Sequence, residues 1–354
     1  MLEYVGAWYK RYLTDPQAAL LVVLLLVSAL VIYFMGKMLT PLIAAVVVAY
    51  LLEGPVKKLE KKVSRLLAVV TVFNLFVFFM IFLVIFLLPI LSRQASQFFQ
   101  EVPNMISKGQ ELLLKLSEEY PQVLSESSIK DIIFSLSGEL SAFGQSVLSV
   151  SFASIPLIVV YLVLVPLMIF FFMKDKVIIL EWLSRFLPSD RRLVTDLWEE
   201  MDGQIGNYIR GKVYEIIIVG VAAYVVFKMF GLNYASLLAI VVGLSVLIPY
   251  IGAATVTIPV AVVAYFQWGL GTEFTWLMVA YFVLQFLDGN VLVPILFSDA
   301  VNIHAVAIIA AILVFGGLWG FWGVFFAIPL ATLVKALINV WPTDSEEIAE
   351  SSPG

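Results

Sequence analysis

The chain has 354 residues, of which 62% are hydrophobic and 13% charged, against roughly 45–50% and about 25% in an ordinary soluble domain. That apolar surplus excludes a water-soluble fold and calls for helices that span lipid, where unpaired backbone N–H and C=O groups find no partner. A net charge of −5 spread over loops and tail excludes the concentrated basic face of a nucleic-acid binder, and the absence of cysteine removes disulfide and thiol chemistry.

The expected fold class is an all-α integral membrane protein with about eight hydrophobic segments, judged against the roughly 20 residues a span needs, and a C-terminal core with two re-entrant or broken helical hairpins in an inverted repeat. Residues 1–16 form a short N-terminal segment, and 17–91 hold the first three segments. The first, Gln17 to Met35, exceeds the apolar stretch of a signal peptide, lacks a small-residue cleavage site, and so predicts a retained span. The second, Leu39 to Leu52, is short and opens on Thr40 and Pro41, which suit a helix start. Lys57, Lys58, Lys61, Lys62 and Arg65 follow it, whereas only Lys37 precedes it. Because cytoplasmic loops collect Lys and Arg, the second segment crosses.

Leu66 to Leu91 is a long third span that leads outside. Residues 92–150 are acid-rich and read as an external, periplasmic cap of amphipathic helices broken near Pro103 and Pro121; lying along the membrane face is the alternative. Residues 151–173 return inward, and 174–205 form a cytoplasmic loop bearing Lys174, Lys176, Arg185, Arg191 and Arg192.

Residues 206–341 carry the functional signal. Val213 to Phe230 is a fifth span, and Tyr234 to Trp268 is an apolar stretch too long for one crossing. Its middle holds Ile248-Pro249-Tyr250-Ile251-Gly252, where proline deletes a helix bond and glycine loosens the backbone. Phe274 to Phe297 crosses back, and Ala305 to Trp341 is a second overlong stretch, broken around the run Gly316-Gly317-Leu318-Trp319-Gly320-Phe321-Trp322-Gly323, with Gly316, Gly317 and Gly320 as the candidate breaks. Residues 342–354 form a tail on the same side as the N-terminus, the cytoplasm.

Asn233 precedes the first overlong stretch and Asn302 the second, and Ile258-Pro259 and Ile328-Pro329 recur at similar offsets. If both stretches, near 234–268 and 305–341, are re-entrant hairpins, they enter from opposite faces as an inverted repeat, the sequence pointer to a transport site near the bilayer midplane. Kinked or tight spans are the alternative, since Gly316 and Gly320 also fit G-x-x-x-G packing.

An ionisable group inside lipid is costly and by default marks a pathway. Asp288, with Gln285 and Asn290 beside it, is the first candidate for a solute or ion path; Asn207, Tyr250 and Glu215 are the others. The bland readings are a polar crevice or a pair with Arg210 or Lys335 for Asp288, and plain solvation for Glu215 next to Lys212. His304 stands at a turn, where a proton-linked role competes with simple exposure. No catalytic residue, metal or cofactor is expected: the chain lacks G-x-S-x-G, H-E-x-x-H and Walker sequences.

Pro41-Leu42-Ile43-Ala44, Tyr208-Ile209-Arg210-Gly211, Ile248 to Gly252, Gln285 to Pro294, and Phe315-Gly316-Gly317 through Ala331 resemble the autoinducer-2 exporter (AI-2E) family. The resemblance covers nearly the whole chain. It implies a bacterial inner-membrane permease, homo-oligomeric with pentamers known among relatives, that exports autoinducer-2 or exchanges sodium or lithium for protons. The chain has His304-Ala305 where relatives commonly have His-Pro, and Asp288 where many have Glu.

Two readings follow. The first is a secondary transporter or exporter in the lipid bilayer, moving a small polar solute or a monovalent cation on a proton or sodium gradient. The second is a membrane scaffold for envelope proteins, with the external cap as its partner surface.

Overall fold

The computed structural model describes residues 16–119, 134–135, 137–139, 142, 144, 155–186, 192–297 and 303–340. Pro121 with the rest of 120–133, most of 140–150 and the tail at 342–354 lie outside the described residues. Every regular element among the described residues is helical. In chain order they are α1 (Pro16–Glu60), α2 (Arg65–Glu119), α3 (Ile155–Lys174), α4 (Lys176–Ser184), α5 (Arg192–Phe230), α6 (Ala235–Ser245), α7 (Ile251–Trp268) and α8 (Thr272–Leu287). A π-helical turn, Asp288–Leu292, leads into α9 (Val293–Phe297), followed by α10 (Ala305–Trp319), α11 (Phe321–Phe325) and α12 (Ala327–Val340).

Among the described residues, five stretches are long and apolar enough to cross a bilayer: Met38–Glu60, Arg65–Glu111, Leu197–Phe230, Ile251–Trp268 and Thr272–Phe297. The chain is therefore a multi-pass helical membrane protein. On α2, Leu75, Phe78, Phe82 and Phe86 are all exposed, the condition expected of side chains whose solvent is acyl chains.

The helices run longer than the hydropathy pattern predicts. No turn separates the first two apolar runs; α1 continues through Gly36 to Thr40, where Thr40 Oγ1 donates to the Gly36 carbonyl at 3.2 Å. Pro41 costs that helix one bond without ending it. Likewise the break expected near Pro103 is absent, because α2 passes through both Pro89 and Pro103. One turn beyond each proline a serine hydroxyl bonds back: Ser92 Oγ to Pro89 O and Ser107 Oγ to Pro103 O, both 3.0 Å. The loop expected over 174–205 is mostly helix too, since α5 starts at Arg192 and runs unbroken past Gly203 and Gly206. The boundary drawn at residue 206 thus falls inside a helix.

The chain divides into two compact units. Unit 1 comprises 1–72, 164–214 and 292–354, and unit 2 comprises 73–163 and 215–291. The two interrupted stretches, assigned to one core by the sequence reading, belong to different units. Spatial grouping follows packing between distant segments, which linear order does not reveal.

In unit 1, Arg65 ties chain-distant pieces together. Its guanidinium donates to the Met173 carbonyl at 2.9 Å and to Glu60 at 3.3 Å, with Glu53 at 3.5 Å. Tyr50 Oη donates to Asp202 Oδ1, and Lys176 Nζ lies 5.9 Å from the Tyr50 ring centroid. Leu197, Met201 and Ala336 form a buried cluster joined by Leu25, Val194 and Leu333.

In unit 2, α5 and α6 cross at two glycines. A Cβ on Gly243 would stand 2.8 Å from the Ile216 carbonyl oxygen and 3.0 Å from Gly220 Cα. Only hydrogen fits there, which lets the backbones meet as small residues do in membrane helix pairs.

Candidate functional site

Hairpin 1, α6 and α7, lies in unit 2. Its first arm has 11 residues, about 16 Å at 1.5 Å per residue, half the roughly 30 Å hydrocarbon core. Its second has 18, about 27 Å, so the arms are unequal. The turn falls where the sequence places it. Ile248 N–H reaches Ser245 O at 3.1 Å, Pro249 follows, and Tyr250 takes φ 63°. That value is unfavourable for a side chain and is held by the turn around it. Gly252 then passes so close that a Cβ there would lie 1.8 Å from Ser245 O.

The open end of hairpin 1 is pinned by glutamines. Gln267 Oε1 accepts from Asn233 N and its Nε2 donates to Gly231 O, both at 2.8 Å. Gln94 Oε1 on α2 accepts from Leu237 N at 2.9 Å, satisfying one of the donors that the first turn of a helix leaves open. Tyr234, at φ 57°, packs edge-on to Phe98, and burial together with the Glu101 carboxylate pushes its phenol up to about 12.

Hairpin 2, α10 to α12, lies in unit 1. Its main arms have 15 and 14 residues, each near 22 Å and short of a full crossing. Here the sequence reading needs correction. Gly316 and Gly317 lie inside α10, not at the break, and the turn is at Gly320, with φ 60° and ψ −135°. The neighbouring glycines carry no positive φ, and the only sharp reversal is where one does. Gly323, the last glycine of the broken run, makes the close contact: a Cβ would lie 1.8 Å from Phe315 O. Both hairpins are thus closed by a glycine against a carbonyl of the opposite arm. A spacing rule alone would not choose Gly323 from four nearby glycines.

Asp288 opens the π-helical turn at the end of α8 and is partly buried. Pro294 has no N–H for the carbonyl of residue 290 and Gly289 is permissive, so the helix widens here. Such bulges concentrate at functional sites. Asn290 spends its amide nitrogen locally, donating to Phe286 O at 2.9 Å.

Gln285 belongs to a buried polar chain. Its Nε2 donates to Tyr281 Oη at 2.8 Å, the Tyr281 and Thr257 hydroxyls stand 3.3 Å apart, and Thr257 Oγ1 donates to Ala253 O at 2.8 Å. With one proton per hydroxyl, the assignment that satisfies all four groups runs Gln285 to Tyr281 to Thr257 to Ala253. Tyr281 is fully buried and stacks with Phe227 at 6.0 Å, so the chain joins α7 to α8. Tyr281→Phe is predicted to strand Gln285 and Thr257 and to cost about 1–3 kcal/mol, measured as a lower unfolding midpoint in detergent. An unchanged midpoint would show that the chain carries no stability.

The remaining candidates separate. Asn207 is exposed and accepts from Arg210 Nη2 at 2.9 Å. Tyr250 is exposed at the tip of hairpin 1. Glu215 and Lys212 are both buried, 2% and 3% exposed, against the solvated reading; Lys212 Nζ sits 5.3 Å from the Phe297 ring centroid. His304 is exposed and caps α10, its Nδ1 accepting from Val306 N at 3.2 Å.

Comparison with known proteins assigns this architecture. The model for the "AI-2E family transporter" family matches residues 21–343. The chain belongs to the AI-2E family. Among AI-2E relatives, "Putative permease PerM" of Escherichia coli (strain K12) is 47% identical over 346 residues, 97% of this chain and 98% of its own length. "Putative transport protein YueF" of Bacillus subtilis (strain 168) is 26% identical over 313 residues, 86% of this chain and 84% of its own. "Putative transport protein YrrI" of the same organism is 25% identical over 307 residues, 84% and 85% of the two chains. An AI-2E chain of this kind is a membrane transporter.

Proposed function

We propose that this AI-2E family protein is an inner-membrane secondary transporter that exports a small polar solute of the autoinducer-2 type, or exchanges a monovalent cation, on a proton or sodium gradient. One observation carries the reading: each compact unit contains one helical hairpin interrupted by a positive-φ turn and closed by a glycine. Interrupted helices present unpaired carbonyls and N–H groups inside the bilayer, and these replace the water shell of a solute or ion. Both termini are cytoplasmic, the two hairpins enter from opposite faces as an inverted repeat, and Asp288 exchanges the coupling proton or cation. The protein works as a homo-oligomer.

The test is a flux assay in proteoliposomes under imposed proton and sodium gradients, run with autoinducer-2 and with lithium and sodium. Uptake or release that follows one gradient and collapses when that gradient is dissipated is the expected result. Flux indifferent to both gradients would replace the transporter with a passive channel, and no flux of any tested species would return the scaffold reading.

A further inference from the structure

The motif Tyr208-Ile209-Arg210-Gly211 on α5 has no part in the path residues above, yet Tyr208 is 2% exposed and its hydroxyl is committed. The reason lies in α12, whose first turn contains Pro329. Two ladder bonds bracket this junction: Phe326 N–H donates to Trp322 O, and Leu330 N–H donates to Phe326 O, each at 2.9 Å. The rung next to the second of these would run from residue 329 to the Phe325 carbonyl. Proline has no N–H to make it. Tyr208 Oη donates to that carbonyl at 2.8 Å, in a buried setting.

The same segment seats the rings around the bond. The Tyr208 ring lies 5.8 Å from Phe297 and 6.0 Å from Phe325. Gly211, one turn along, admits Phe297, because a Cβ there would come within 2.7 Å of its ring. All these residues belong to unit 1.

We infer that Tyr208 is a positioning residue whose hydroxyl stands in for the backbone donor missing at Pro329, fixing the junction of α11 and α12 in hairpin 2 from a different helix. A ladder bond breaks only when its own helix unwinds. A side-chain bond from α5 is released by a change of one rotamer, so the junction is held by a contact that can be given up. This role rests on the reading of hairpin 2 as part of the solute path, but its test needs neither solute nor gradient.

The experiment is hydrogen–deuterium exchange by mass spectrometry on the full chain in lipid nanodiscs, following amides from Phe321 to Leu333 in four proteins: parent, Tyr208→Phe, Pro329→Ala and the double variant. Phenylalanine keeps the ring and removes only the hydroxyl. Tyr208→Phe is expected to speed exchange in this segment about fivefold to tenfold, the population change one buried hydrogen bond controls. Pro329→Ala restores a backbone donor, so the double variant is expected to return close to the parent. Should Tyr208→Phe fail to accumulate in membranes, recovery of accumulation in the double variant reads the same coupling. Unchanged exchange in Tyr208→Phe, or acceleration that persists in the double variant, overturns the assignment and leaves the ring as packing alone. Failure of flux with this coupling intact would count against the transport reading and not against Tyr208.

Discussion

Replacing Asp288 by Asn is expected to abolish gradient-driven flux, lowering it by at least about 100-fold, the lower range for removing a group that carries protons in a mechanism. Asparagine keeps the size and the hydrogen-bonding edge of the side chain but holds no exchangeable charge. Asp288 stands in the Thr272–Phe297 span at the first residue of the π-helical turn, where an ionisable side chain is costly and by default marks a pathway. Asp288→Glu keeps the acid and is expected to retain coupling at an altered rate. The measurement is solute or cation flux in proteoliposomes at matched reconstitution, with gradient-free binding or leak recorded alongside. Full coupling in the asparagine variant would remove Asp288 from the mechanism and shift attention to the buried Glu215.

Adding one methyl group at Gly252 or Gly323 is expected to be the most damaging small substitution in the protein. In both places the new Cβ falls 1.8 Å from a backbone carbonyl oxygen, of Ser245 or Phe315. Neither obstacle is a side-chain tip that can swing away, so one arm of the hairpin must move. Overpacking of this kind costs about 1–3 kcal/mol or more, enough to remove much of a marginal stability. Gly317→Ala is the control: it lies within α10 with nothing inside 4 Å of the added atom, and alanine favours a helix interior by about 1 kcal/mol. Thermal midpoints in detergent should fall for Gly252→Ala and Gly323→Ala and hold or rise for Gly317→Ala. Equal midpoints across the three would mean that the hairpins close less tightly than described.

Much of the architecture was legible in residue order because lipid imposes a simple rule on composition. Long apolar runs had to be helices, and Pro249 with Gly252 had to interrupt one of them. The helix ends were less legible. Pro41 reads as a helix start and Pro103 as a break, yet each sits, like Pro89, within a continuous helix, because the loss of one bond is small beside the cost of exposing several backbone groups in lipid. The second break was read over a whole run for a related reason: four glycines crowd Gly316 to Gly323, and only backbone angles distinguish Gly320 as the reversal. At the candidate site, Asp288 was singled out from its charge alone, but the π-helical turn under it was not, since Gly289 and Pro294 are equally compatible with a kink or a helix end. The polar chain through Tyr281 joins residues 24 positions apart across two helices, a proximity that only the folded hairpin creates.

The Gly220–Gly243 crossing of α5 and α6 has an entropic consequence. Most helix seams freeze rotamers when they form, and each immobilised leucine or isoleucine costs about 0.5–1 kcal/mol. Two glycines have none to freeze. That seam therefore owes little to side-chain order, so warming, which loosens the phenylalanines and leucines facing the acyl chains, leaves its geometry largely alone. Hairpin 1 keeps a fixed footing on α5 while the lipid-facing surface around it softens.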